Sequence, residues 1–252
     1  MGRIIALINQ KGGVAKTTTA HALGAGLAHR GYKVLLIDFD AQANLTAIVK
    51  AESTADISEV IEGKCTINQA ITAPEGASNL DIVLSAPRLA LISDKLKDST
   101  RLNSILEPVK KSYDYIVIDC GPQLTALTIN ALTTADYAII PAQADIFSLQ
   151  AIASIVSTVE AVKRTGNSKL KIAGVLLTMY DKRPVLVKEA TEAIENRAKQ
   201  LGIKVFNTRI RNNVALIEAQ ALHKDIYTHK PKSNGAIDYN SFVAELLETI
   251  NK

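Results

Sequence analysis

An apolar run from Ile4 to Ile8 passes directly into Asn9-Gln10-Lys11-Gly12-Gly13-Val14-Ala15-Lys16-Thr17-Thr18-Thr19. The run is short and β-branched, the signature of a buried strand. The glycine-containing turn behind it opens an alanine-rich helical pattern. Strand, loop and helix in this order make a phosphate site, because backbone N–H groups converge at the positive end of the helix. Gly12 and Gly13 let the backbone approach phosphate oxygens closely. Lys16 has the place of the lysine that reaches β- and γ-phosphates, and Thr17 that of the hydroxyl on Mg²⁺. The strict pattern G-x-x-x-x-G-K-[ST] is nevertheless broken, since Gln10 and Ala15 stand where its glycines belong. Lys11 is a second lysine where one phosphate loop needs only one.

The rest of the chain alternates short strands with longer helices. Strands are expected at 3–9, 33–38, 81–85, 115–119, 137–141 and 171–178, and helices at 16–29, 124–135, 146–164 and 185–201. Near-continuous apolar strands such as Ile116-Val117-Ile118 require burial on both faces. The expected fold is therefore α/β, a mainly parallel twisted sheet with helices on both faces and ligands at the carboxyl ends of its strands. Residues 223–238, rich in Lys, Pro, Ser and Asn, read as irregular, with a final helix from about Tyr239.

At 252 residues the chain suits one domain, 1–252, with a sizeable core. Two scattered cysteines, Cys65 and Cys120, give neither a disulfide framework nor a zinc site, and the four histidines have no metal-ligand company. With no stretch near the ~20 apolar residues of a membrane span and no signal peptide, a cytoplasmic protein is expected. A net charge of +4 permits a polyanionic partner without requiring one.

Carboxylates close two of the expected strands. Asp38 and Asp40 follow Leu36-Ile37, where they can serve a magnesium shell and position a water. Asp119 ends Tyr115-Ile116-Val117-Ile118 and suits a water-mediated contact to the metal. Pro141-Ala142-Gln143 and Thr178-Met179-Tyr180-Asp181 put further polar residues after strands, where a base or a second subunit can dock.

These motifs resemble the ParA/Soj group of the MinD/ParA deviant Walker A P-loop ATPases. The family's N-Q-K-G-G-V-G-K-T-T-T is matched except at Ala15. Its I-D-x-D-P-Q-x-N recurs with Ala41 for proline, and Y-D-Y-I-V-I-D-C-P-P with Gly121 for the first proline. T-I-N-A-L recurs at Thr128 to Leu132 and L-L-T-M-Y-D at Leu176 to Asp181. The resemblance runs from about residue 3 to the C-terminus. It implies an ATP- and Mg²⁺-dependent homodimer in which Lys11 crosses to phosphates held by the other subunit. Gly12 to Thr18 (Gly12, Gly13, Val14, Ala15, Lys16, Thr17 and Thr18) would cradle the nucleotide. Lys16 and Asp40 would act in hydrolysis, and Thr17, Asp38 and Asp119 would hold the metal.

It further implies slow hydrolysis stimulated by a ParB-like partner, non-specific binding to double-stranded DNA and a nucleoid location. The base would meet Met179, Arg211 and Asn213, although the family's I-P-R-N-V-R-L-S-E-A reads Ile210-Arg211-Asn212-Asn213-Val214-Ala215-Leu216-Ile217-Glu218-Ala219 here. Arg183 matches a basic position some relatives use on DNA, while Ala215 replaces a second arginine. Arg209, Arg211, Lys224, Lys230 and Lys232 are candidates to rebuild that basic face. Ala15 fits the loop if its φ is negative and strains it otherwise.

Two other readings stay open. A MinD-like membrane-cycling regulator would need a basic amphipathic C-terminal helix, but Glu245 and Glu248 flank the Phe242, Leu246, Leu247, Ile250 stripe, which favours core packing. A catalytically dead scaffold, which binds nucleotide or partner without turnover, would follow if Ala15 and the altered adenine segment disable hydrolysis.

Overall fold

The computed structural model describes residues 2–93 and 96–251. Its strands are β1 (Arg3–Leu7), β2 (Val34–Phe39), β3 (Ile71–Thr72), β4 (Leu80–Val83), β5 (Tyr115–Cys120), β6 (Tyr137–Ala142), β7 (Lys171–Tyr180) and β8 (Val205–Arg211). Among the described residues they form one sheet in the order β3-β4-β2-β5-β1-β6-β7-β8. Every pairing is parallel except that of β3 with β4.

Helices follow in chain order: α1 (Lys16–Ala28), α2 (Asn44–Ile48), α3 (Ile57–Glu62), α4 (Ile67–Ala70), α5 (Leu89–Ser93) and α6 (Arg101–Leu106). Then come α7 (Ala126–Thr134), α8 (Ile146–Thr165), α9 (Val185–Gln200), α10 (Val214–Ala221), α11 (Ile226–His229) and α12 (Asn234–Ile250). The core divides along the pleat. Ile4 and Ala6 of β1 point into one apolar cluster with α7 and α8, while Ile5 and Leu7 point into the other with α1 and α12. Successive strand side chains face opposite sides, so burial on both explains the unbroken apolar strands.

Three expectations change. β3 and β8 were not foreseen; β3 has only two residues, and β8 is an edge strand in which polar Asn207, Thr208 and Arg209 separate the buried Phe206 and Ile210 and hide the apolar period. The irregular segment holds α11 and the first turn of α12, which starts at Asn234. Asp225 and Ser233 cap them by accepting backbone N–H bonds. Finally, α8 does have the length and apolarity of a bilayer-crossing helix, contrary to the sequence reading. It buries Ile152, Ile155, Val159 and Val162 in the core beneath it, the one-sided pattern of a helix packed on a sheet.

The C-terminal stripe behaves as expected, with Phe242, Leu246 and Ile250 inside the second cluster. Phe242 meets Phe206 of β8 edge to face at 5.0 Å. Glu245 accepts backbone N–H bonds from Asn207 and Thr208 at 2.8 and 2.9 Å, fastening α12 to the edge strand.

Candidate active site

Parallel register assembles the site. Leu7, the last residue of β1, lies level with Asp119 of β5, and Asp119 lies level with Asp38 of β2. The chain reverses its direction of growth around β1 and β5, the position where open α/β sheets bind ligands. The loop from Ile8 to Ala15 rises from that point. Asn9 anchors its first half, donating to the Pro141 carbonyl at 2.6 Å and accepting from the Lys11 N–H at 2.9 Å. On its far side the buried Thr178 hydroxyl lies 3.1 Å from the Val14 carbonyl and 3.2 Å from that of Ala142. Gly13 is left-handed at φ 72°, and a side chain at Gly12 or Gly13 would meet open space.

Ala15 takes the strained alternative, at φ 59° and ψ 33°. Its carbonyl accepts the Thr19 N–H at 2.9 Å, so the loop's last residue and the first turn of α1 are set together. Lys16 is buried and donates to the Lys11 carbonyl at 3.2 Å. Burial lowers its pKa, while Asp119, Cys120 and Asp40 act in the opposite direction.

The two strand-end acids share a dry environment. Asp38 accepts from the Thr46 N–H and hydroxyl, each at 2.7 Å, and from the Asp40 N–H at 3.2 Å. Burial raises its pKa to about 6 despite those bonds. Asp119 is fully buried, and neither carboxylate oxygen meets a donor at full hydrogen-bond geometry, although the Thr17 hydroxyl lies close enough to favour its charged form. Burial first, then the charge of Asp38 beside it, pushes it up to about 8. A buried carboxylate with both oxygens unpaired is costly by itself and suited to a cation or a metal-bound water. Among the described residues no group of three His, Cys, Asp or Glu could hold a metal alone. The donors fit magnesium shared with phosphate oxygens: Thr17, Asp38 and Asp119 would supply the protein's part of its shell.

Lys11 folds against its own chain. Its ammonium pairs with Asp145, the residue capping α8, and donates to Gln143 Oε1 at 3.1 Å. Gln143 in turn donates to the Gly13 carbonyl at 3.2 Å and lies 3.0 Å from the Met179 sulfur. Met179, at φ 51°, therefore stands beside the loop, linked to it through Gln143. Arg211 is brought to the same end of the sheet, but Asp238 holds its guanidinium at 2.6 and 2.9 Å. Asn213 caps α10, accepting from the Ala215 N–H at 2.9 Å. Thr18 accepts from Gln220 of α10 at 2.8 Å, a link between the loop helix and that segment.

The basic candidates are mostly paired. Arg183 forms a fork with Asp181, Arg209 pairs through one nitrogen with Glu195, and Lys230 pairs with Glu218, while Lys224 and Lys232 have no ion pair among the described residues. Sequence reading passed over Asn9, Asp145, Thr46 and Ser85. Asn9, Ser85 and Asp145 carry a weak signal, a polar residue at or after a strand end, and Thr46 carries none.

Sheet, switch point, phosphate loop and strand-end acids define a P-loop ATPase. Residues 2–172 match the AAA domain family. The chain is 40% identical over 253 residues to the sporulation initiation inhibitor protein Soj of Bacillus subtilis, covering 98% of both chains. It is 37% identical to the chromosome-partitioning ATPase Soj of Treponema pallidum, again covering 98% of each. Among solved structures, cobyrinic acid a,c-diamide synthase from Mycobacterium smegmatis with ADP and magnesium superposes with a TM-score of 0.86 at 28% identity, covering 100% of this chain and 96% of the other. The chain belongs to the ParA/Soj family of partitioning ATPases.

Proposed function

We propose that this ATPase works as an ATP-driven dimer switch that binds DNA non-specifically and is released when a ParB-like partner stimulates hydrolysis. The cargo is plasmid or chromosomal DNA, or another body moved over the nucleoid. The observation that carries this reading is Lys11, a cation surplus to its own phosphate loop yet held at the loop's mouth by Asp145 and Gln143. A lysine there can trade Asp145 for phosphates bound by a second copy, which makes dimerisation depend on nucleotide.

In this scheme the loop from Gly12 to Thr18 holds the phosphates, and Lys16 neutralises charge between the β and γ groups. Asp40 orients the attacking water. Bound magnesium would draw charge from the same phosphate oxygens, with Thr17, Asp38 and Asp119 as its protein-side donors. Two copies would double any basic surface, and contacts to phosphate carry no sequence information.

Retention of a random-sequence duplex by the purified protein with ATP, ADP or no nucleotide, at two salt concentrations, tests the proposal. ATP-specific retention that weakens with salt is expected. Absence of retention under every nucleotide would overturn the nucleoid mechanism.

A further inference from the structure

Asp40 lies in a loop that is fastened to the neighbouring strand at one point. Val83 of β4 is level with Ile37 of β2, so the exit of β4 runs alongside Phe39 and Asp40. There the Ser85 hydroxyl donates to the Asp40 carbonyl at 2.8 Å, and the Ser85 N–H donates to Thr46 Oγ1 at 2.8 Å. Thr46 passes its own hydroxyl hydrogen to Asp38, and the Asp40 N–H returns to the other Asp38 oxygen. The ring Asp38–Thr46–Ser85–Asp40 is closed. A hydroxyl has one hydrogen to give, and in both Thr46 and Ser85 it is committed, which fixes the direction of the ring.

Ser85 is buried, so water cannot readily replace its hydroxyl. The Asp40 carbonyl also accepts the Ala43 N–H at 2.9 Å. Removing the Ser85 hydroxyl thus leaves no unpaired acceptor, yet it removes the direct tie from Asp40 to the exit of β4, while the Ser85 N–H still holds Thr46. On the other side, a Cβ built on Gly121 would come within 2.9 Å of Asp40 Oδ1, so the carboxylate is also close-packed against β5's exit.

We infer that Ser85 is a positioning residue for hydrolysis, holding the Asp40 loop in register through its hydroxyl while taking no part in nucleotide binding. This rests on Asp40 as the group that orients water. Displacing such a group by about 1 Å can cost on the order of 100-fold in rate.

Ser85→Ala, Ser85→Thr, Asp40→Asn and the Ser85→Ala/Asp40→Asn pair are compared by single-turnover ATP hydrolysis, ATP affinity and thermal melting. Ser85→Ala should lose about tenfold or more in hydrolysis rate, with ATP affinity within about threefold and an almost unchanged melting point. Ser85→Thr, which keeps the hydroxyl, should restore most of the rate. In the Asp40→Asn background the alanine should cost nothing further. Wild-type turnover by Ser85→Ala, an equal loss in both backgrounds, or affinity and melting point falling with the rate would each overturn the inference. Normal turnover by Asp40→Asn alone would remove the Asp40 reading, and Ser85's role with it. A dead Asp40→Asn beside an active Ser85→Ala would remove Ser85's role only.

Discussion

Replacing Ala15 by glycine should make the nucleotide-free protein more stable. Ala15 sits in the left-handed region at φ 59° and ψ 33°. Its Cβ is crowded by the neighbouring carbonyl there, at a cost of about 1–2 kcal/mol for an L residue. Relaxation is blocked, because the Ala15 carbonyl accepts the first helical bond of α1 from Thr19 and the Val14 carbonyl is held beside Thr178. Glycine removes the strain but gains unfolded-state freedom, which returns about 0.4–1 kcal/mol. The net gain is about 1 kcal/mol, or roughly 2–4 °C in melting temperature for a chain of this size. Thermal and guanidinium unfolding in magnesium-free buffer would read it. Ala15→Val should move the other way by more, since a β-branched residue tolerates this backbone worst. Equal or lower stability in Ala15→Gly would refute the strain argument. ATP affinity should stay within about threefold, because the loop already has its shape and only its cost changes.

Three other variants test the site. Burial raises Asp119 to about 8 and Asp38 to about 6, so between the ordinary carboxylate range and pH 8 the folded state binds more protons than the unfolded chain. Stability conferred by protonation is therefore lost as pH rises through that window. Asp119→Asn should stabilise the metal-free protein more at pH 8.5 than at pH 5.5; an equal gain at both would contradict the unpaired-charge account. Lys11→Ala should keep ATP binding and abolish ATP-dependent dimerisation, and an unchanged dimer by light scattering would end the trans-acting role. Asp145→Ala should do the opposite, releasing Lys11 and lowering the ATP concentration at which dimers form by a few-fold.

How much was readable beforehand depends on how far apart the interacting residues lie in the chain. Val34 to Asp38 and Tyr115 to Asp119 announce themselves as buried strands ending in acids, and register then places the acids side by side. The phosphate loop is local in sequence, so its geometry was legible apart from the sign of φ at Ala15. Ser85 reaches across to Thr46 and Asp40, and Arg211 to Asp238; neither side chain carries a local pattern announcing its partner. β8 escaped for a related reason, because an edge strand with one wet face need not look apolar.

The phosphate-loop helix is also a fastening for the C-terminal third of the chain. Tyr239 of α12 shares a 2.9 Å hydrogen bond with Thr19, and Tyr227 of α11 donates to the Ala22 carbonyl at 3.0 Å. A Cβ on Gly26 would strike the Tyr227 hydroxyl at 2.5 Å and Val243 at 3.0 Å, so the helices nest at van der Waals distance. The stretch that matches the AAA domain family stops at residue 172, inside β7, well before these contacts. Trimming the chain there would strip the cover from Leu23 and Leu27 and bare β6 as a raw sheet edge. The smallest unit that keeps both faces of the sheet covered is thus larger than its most recognisable portion, and dissecting the protein must respect the packing rather than the motif.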